Sequence, residues 1–126
     1  MTGSGVRPLR VVVADNDPDA LDLVDLDLRL EGHDVVGRAH DGTEAIALCR
    51  ELHPDVLVVD LRMPPGPDGL AVVAALAGQP GLRSVLYTNY RDGGLAQRAQ
   101  VLGAAYLLKG DLRALRRALH GVPLAT

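Results

Sequence analysis

Five short apolar runs, each separated from the next by a stretch of helical length, constrain this chain more than any other feature. The runs cover residues 9–14, 35–36 with an extension to 39, 56–59, 85–87 and 106–108. They are rich in Val and Leu and mostly unbroken by polar residues. Strands buried on both faces read this way, whereas a half-exposed strand alternates. The stretches between them carry helical periodicity. Within 19–31, Leu21, Val24 and Leu28 share one face, while Asp22, Asp25, Asp27 and Arg29 fall mostly on the other. Gly32 then reads as a helix stop. Residues 43–52 place Ala45, Ile46 and Cys49 inward and end before Pro54. The segment 70–77 is apolar and Ala-rich, and 91–102 is weakened by Gly93 and Gly94. The last helix, over 111–119, carries Leu112, Leu115 and Leu119 on one stripe.

A strand–helix pair repeated five times predicts an α/β fold. The expectation is a three-layer, doubly wound, flavodoxin-like (βα)5 unit with a five-stranded parallel sheet in the order 2-1-3-4-5. At 126 residues, 48% of them apolar, the chain can bury one core without disulfides. Residues 9–121 are expected to form the domain, with 1–8 a flexible lead and 122–126 a tail. No apolar run is long enough to span a bilayer. A net charge of -3 argues against a protein that coats nucleic acid. Cys49 is the only cysteine, so no intramolecular disulfide forms, which fits a cytoplasmic location.

In such sheets, ligands sit beyond the carboxyl ends of the strands. Asp15, Asn16 and Asp17 follow the first run, Asp60 the third, Thr88 the fourth and Lys109 the fifth. All would lie on one rim. Clustered acidic oxygens suit a hard cation such as Mg²⁺. A carboxylate can attack phosphorus to give an acyl phosphate. The transferring group then needs positive charge and donors on its equatorial oxygens, which Lys109 and Thr88 supply.

The segments VVVADNDPD, PDVLVVDLRMP, DGL, LYTNY and GAAYLLKG resemble those of response-regulator receiver domains, the phosphoacceptor modules of bacterial two-component signalling. The resemblance extends from about Leu9 to Leu119. It implies that Asp60 takes a phosphoryl group from a sensor histidine kinase. It implies Mg²⁺ held by Asp15, Asn16, Asp60 and the Arg62 backbone carbonyl, and a Lys109 contact to the phosphoryl group. Thr88 and Tyr106 would form the switch pair that remodels the face made by the fourth helix, fifth strand and fifth helix. The output would be binding rather than turnover, directed to an output domain or partner protein, with no direct contact to nucleic acid or membrane. The DLRMP and YLLK wording resembles receivers that precede helix-turn-helix domains. The chain is therefore expected to be a stand-alone regulator or a receiver parted from its effector. A homodimer through the fourth and fifth helices also follows from the resemblance.

Four departures from the family pattern stand out. Asn16 replaces the usual second acid, which predicts weaker metal binding and slower phosphorylation, with Asp17 as partial compensation. The loop MPPGPDGL is one residue longer than the common form and lies close to Asp60. Asn89 follows Thr88 where a small residue is usual. Gly110 follows Lys109 where proline is usual, and the GAAY segment is one residue short. In the family, residues at the positions of Arg62 and Tyr90 tune the lifetime of the phosphate, and Tyr90 is bulky enough to shield it.

Other readings compete. Asp17 before Pro18 is also a good helix N-cap, and Asp68 before Gly69 another. Asn16 motivates a receiver-like binding module that works without phosphorylation. Asp15-Asn16-Asp17 also resembles the nucleophile motif of haloacid-dehalogenase-type phosphatases, with Asp15 as nucleophile, but that reading leaves DLRMP unexplained. A flavin carrier is disfavoured because Asp15 and Asp17 would repel the flavin phosphate. His33, His40, His53 and His120 read as surface residues, Cys49 as core, and Arg113, Arg116 and Arg117 as a solvated basic strip.

Overall fold

The computed structural model describes residues 8–120. The expected lead, save Pro8, and the tail 122–126 lie outside these residues. The element order is β1 (Arg10–Ala14), α1 (Pro18–Leu30), β2 (Asp34–Ala39), α2 (Gly42–Leu52), β3 (Val56–Val59), α3 (Gly69–Leu76), β4 (Arg83–Thr88), α4 (Gly93–Val101), β5 (Ala105–Leu108) and α5 (Leu112–His120). The strands form one parallel sheet in the order β2-β1-β3-β4-β5, as the strand–helix alternation predicts. No described helix is long and apolar enough to cross a membrane.

Side chains alternate across a strand, so the sheet feeds two cores. Val12, Ala14, Leu57, Val59 and Leu86 face α2, α3 and α4. Val11, Val13, Val56, Val58 and Val85 face α1 and α5, where Leu21, Val24, Leu28, Leu115 and Leu119 close the layer. Each fully buried Val or Leu is worth roughly 1.5–3 kcal/mol. Cys49 is in the first core and fully buried, and burial pushes its thiol up to about 12.

The structure lengthens three strands, β5 only by Ala105. β4 starts at Arg83 because the ladder to β3 continues through Val56 opposite Arg83 and Leu57 opposite Ser84. β2 is an edge strand, and its ladder to β1 runs from Asp34 to Ala39 across a register shift between Val11 and Val12. An edge tolerates the polar and small residues that break the apolar run there. The fourth helix begins at Gly93 rather than 91, because the Asp92 carboxylate accepts from Gly94 N at 3.0 Å and caps it.

Three surface assignments are corrected. On α1, Asp25 and Asp27 are buried, whereas Leu23, Leu26 and Leu30 are exposed. The two carboxylates are buried because arginines meet them there. Asp25 accepts from Arg29 one turn on and from Arg38 at 2.7 Å, and Asp27 accepts from Arg116 on α5. Arg116 is thus an interhelical contact rather than part of a solvated strip. His33 is buried too, since its Nδ1 accepts the Leu9 N–H at 3.1 Å across the bottom of the sheet.

Candidate functional site

The rim residues are held by ladder bonds that run one step past the strands. Asp15 N donates to Ala39 O and Asp60 N to Ala14 O, both at 3.0 Å. Lys109 N donates to Thr88 O at 2.9 Å. Asp15 and Asp60 therefore emerge side by side from adjacent strands, with Lys109 arriving from beyond β5. The side chains then converge. Lys109 Nζ lies 2.6 Å from Asp15 Oδ2 and 3.3 Å from Asp60 Oδ2. Both carboxylates are more than nine-tenths buried, and each spends its other oxygen on a nearby amide: Asp17 N donates to Asp15 Oδ1 at 3.0 Å, and Leu61 N donates to Asp60 Oδ1 at 2.8 Å.

Burial raises the Asp15 carboxyl above its ordinary value, and the Lys109 ammonium pulls it partly back. Burial also works against the charge on Lys109, but the bond to Asp15 and the charge on Asp60 outweigh it and hold Lys109 above its ordinary value. Lys109 stays charged, because losing its proton would leave two buried carboxylates without a countercharge.

The other expected residues divide. Asn16 and Asp17 are exposed. Asp17 Oδ1 accepts from Asp19 N at 3.0 Å, so its carboxylate caps α1 and is not part of the cluster. Asp68 likewise caps α3 through Ala71 N. Thr88 is fully buried and its hydroxyl accepts from Tyr90 N at 3.3 Å. Tyr106 donates its phenolic proton to Tyr90 O. Both members of the expected switch pair thus hold the backbone of one residue. The Tyr90 ring is itself covered by the Arg62 guanidinium at 4.4 Å. The two border a cavity of about 260 Å³, floored by Leu61 and Leu95. Asn89 is exposed.

The longer loop after Asp60 is pinned at both ends. Met63 anchors it in the core, and Gly69 N donates to Leu61 O at 2.7 Å. Gly69 permits this closure, because a Cβ there would lie 2.2 Å from Asp60 O. The donors present are two carboxylates on adjacent strand ends, the Asn16 amide and the loop carbonyls. Such an all-oxygen set fits a hard divalent cation. Among the described residues no group of three or more His, Cys, Asp and Glu side chains is placed to share a metal, in keeping with an amide at position 16.

The sequence points to Lys109, but two further signals went unread: the singularity of that lysine, and the reach of Tyr87. Lys109 is the only lysine in the chain, set against twelve arginines, a countable signal that a point charge on a flexible stem is used at this one place. Tyr87, fourth-strand core by pattern, carries its hydroxyl to Gly110 N at 2.8 Å.

The chain is similar to known proteins over most of its length. The family model for the response regulator receiver domain matches residues 11–120. The transcriptional regulatory protein PdtaR of Mycobacterium tuberculosis is 38% identical over 105 residues, 81% of this chain and 50% of that protein. Protein-glutamate methylesterase/protein-glutamine glutaminase 3 of Myxococcus xanthus is 36% identical over 107 residues, 84% of this chain and 29% of that protein. The chain thus spans half or less of the length of these curated relatives. Among solved structures, the signal receiver domain of NarL from Mycobacterium tuberculosis superposes with a TM-score of 0.82 at 33% identity, covering 92% of this chain and 99% of that one.

Proposed function

The chain belongs to the response-regulator receiver family, and from that premise we propose that it is a phosphoacceptor switch in which Asp60 takes a phosphoryl group from a sensor histidine kinase. The observation that carries this reading is the convergence of Asp15 and Asp60 on the single ammonium of Lys109. An Asp60 carboxylate oxygen attacks phosphorus, the P–N bond of the donor's phosphohistidine breaks, and the imidazole nitrogen leaves with the electron pair. Lys109 needs only to shift from Asp15 toward the new acyl phosphate to neutralise one of its oxygens. Mg²⁺, held by Asp15, Asn16, Asp60 and the Arg62 carbonyl, would neutralise further charge and orient the donor phosphate.

Thr88 and Tyr106 carry the message outward. The Thr88 hydroxyl leaves Tyr90 N to donate to a phosphoryl oxygen, which frees the backbone that Tyr106 also holds. The face that changes is built from α4, β5 and α5, and it would meet an output domain, a DNA-binding domain in transcriptional regulators, or a second copy. The change is a local charge biasing a two-state loop. Residues 9–121 are the working unit in this reading. The dehalogenase-type alternative gains nothing from the family match, and Asp17 is engaged as a cap.

Intact-protein mass after incubation with phosphoramidate and Mg²⁺ tests the proposal. One added phosphoryl group in wild type, none in Asp60→Asn, and none after prior chelation is the expected result. Unmodified wild type at saturating Mg²⁺ would overturn it in favour of a module that binds its partner without phosphorylation.

A further inference from the structure

Lys109 sits on a short connection between β5 and α5 whose hold on the lysine depends on a few bonds. The Lys109 N–H is tied to Thr88 O, and Asp111 N reaches back to Leu108 O at 3.3 Å. Between them stands Gly110, with φ +92, a left-handed conformation that turns the chain out of the strand. Its N–H points back under the sheet edge and donates to the Tyr87 hydroxyl at 2.8 Å. Tyr87 is only 4% exposed, with its ring among the α1 and α5 core residues. In the ladder its partner is Leu107, so the ring must cross the end of β5 to reach residue 110. A buried tyrosine hydroxyl needs a polar partner, and here the partner is the peptide next to the lysine. The arrangement is possible only because residue 110 is not proline, which has no N–H to give.

We propose that Tyr87 is the positioning residue for Lys109, its hydroxyl clamping the Gly110 peptide so that the ammonium stays between Asp15 and Asp60. The ring is packed on all sides by the core, whereas the connection is held by hydrogen bonds alone, so the packed partner sets the geometry. The lysine stem is long and flexible. Small drift of the peptide that carries it spreads the ammonium over many positions, and misplacement on the order of 1 Å at a reacting centre can cost up to about 100-fold in rate. That Lys109 assists phosphoryl transfer rests on the function proposed above, whereas its placement by Tyr87 rests on the hydrogen-bond geometry.

Tyr87→Phe deletes one oxygen and keeps the ring, and Gly110 is exposed enough for water to take its N–H, so the fold survives. Because Lys109 is the only lysine, lysine labelled with ¹³C and ¹⁵N in the full chain reports one side chain. Its ε-carbon and ammonium resonances are expected to move toward those of free, exposed lysine in Tyr87→Phe. An unchanged resonance overturns the proposal. Phosphorylation by phosphoramidate is expected to slow roughly 3- to 30-fold in Tyr87→Phe, and to be insensitive to the same change in a Lys109→Ala background. Equal slowing in both backgrounds would mean a general structural role and overturns it as well. A wild type that takes no phosphoryl group, but whose lysine resonance still shifts in Tyr87→Phe, would remove the phosphoacceptor reading and leave the positioning role standing.

Discussion

Gly69→Ala is the sharpest probe of how the site is built. The glycine opens α3, and its α-carbon presses on the peptide of Asp60. A methyl group there would meet Asp60 O at 2.2 Å, Leu86 Cδ1 at 2.8 Å and the Asp60 carbonyl carbon at 2.9 Å. The leucine tip can rotate aside, but a backbone oxygen at the end of a central strand cannot. The gap must widen to 3.0 Å or more, by moving α3 off the sheet or by pushing Asp60 off its ladder bond to Ala14. Overpacking of this kind costs about 1–3 kcal/mol. For a domain of this size that is a fall in Tm of roughly 4–12 °C. Gly78→Ala is the control, since nothing lies within 4 Å of its Cβ position. Thermal unfolding followed by circular dichroism should separate the two variants, and Gly69→Ala should also take up phosphate more slowly than Gly78→Ala. If both variants melt within about 2 °C of wild type, less than ~0.5 kcal/mol, the close approach is not rigid and the reasoning fails.

Other outcomes follow from the same structure. Asn16→Asp adds a second carboxylate beside Asp15 and should tighten Mg²⁺ roughly tenfold, about 1.4 kcal/mol; calorimetric titration giving the wild-type affinity would refute a direct ligand role. His33 is held below its ordinary value chiefly by burial, helped by His120 and opposed by Glu31 and Asp34. The folded chain therefore binds fewer protons than the unfolded one, and the contribution of His33 is fully present above the unfolded value near 6.5 and is lost as pH falls through the folded one. Urea midpoints at pH 8 and pH 5.5 should fall further in wild type than in His33→Gln, and the bond to Leu9 that protonation breaks is worth about 1 kcal/mol. Cys49, buried and pushed up to about 12, should resist disulfide reagents in the native state and react once urea unfolds the chain. Prompt native reactivity would place the thiol nearer the surface.

The fold was legible because its signals are local. A run of valines buried on both faces, followed by helical periodicity, is a property of neighbouring residues, and five repeats leave few ways to pair the strands. The rim was legible for the same reason: Asp15, Asp60, Thr88 and Lys109 each stand at or just past the end of an apolar run. The apolar run 85–87 is shorter than β4 itself, Arg83–Thr88, and α4 starts later than its periodicity, which marks where local signals thin. Arg83 and Ser84 enter the ladder only because β3 lies beside them, and Asp92 ends the loop only because its carboxylate turns onto Gly94 N. By sequence Asp17 fits equally as cap and as site residue, and the Asp19 amide on its carboxylate decides for the cap.

What the chain determined by itself was therefore the order of its elements and the roster of polar residues at one edge, since both follow from backbone period and side-chain type. Tertiary structure decided which charges are buried and what each one touches. Asp27 meets Arg116 across 89 residues of sequence, and Tyr87 reaches Gly110 across 23. Burying a charge or a hydroxyl is tolerable only when a partner is already waiting. That condition depends on two distant segments at once, so it exists only after the sheet has brought them together.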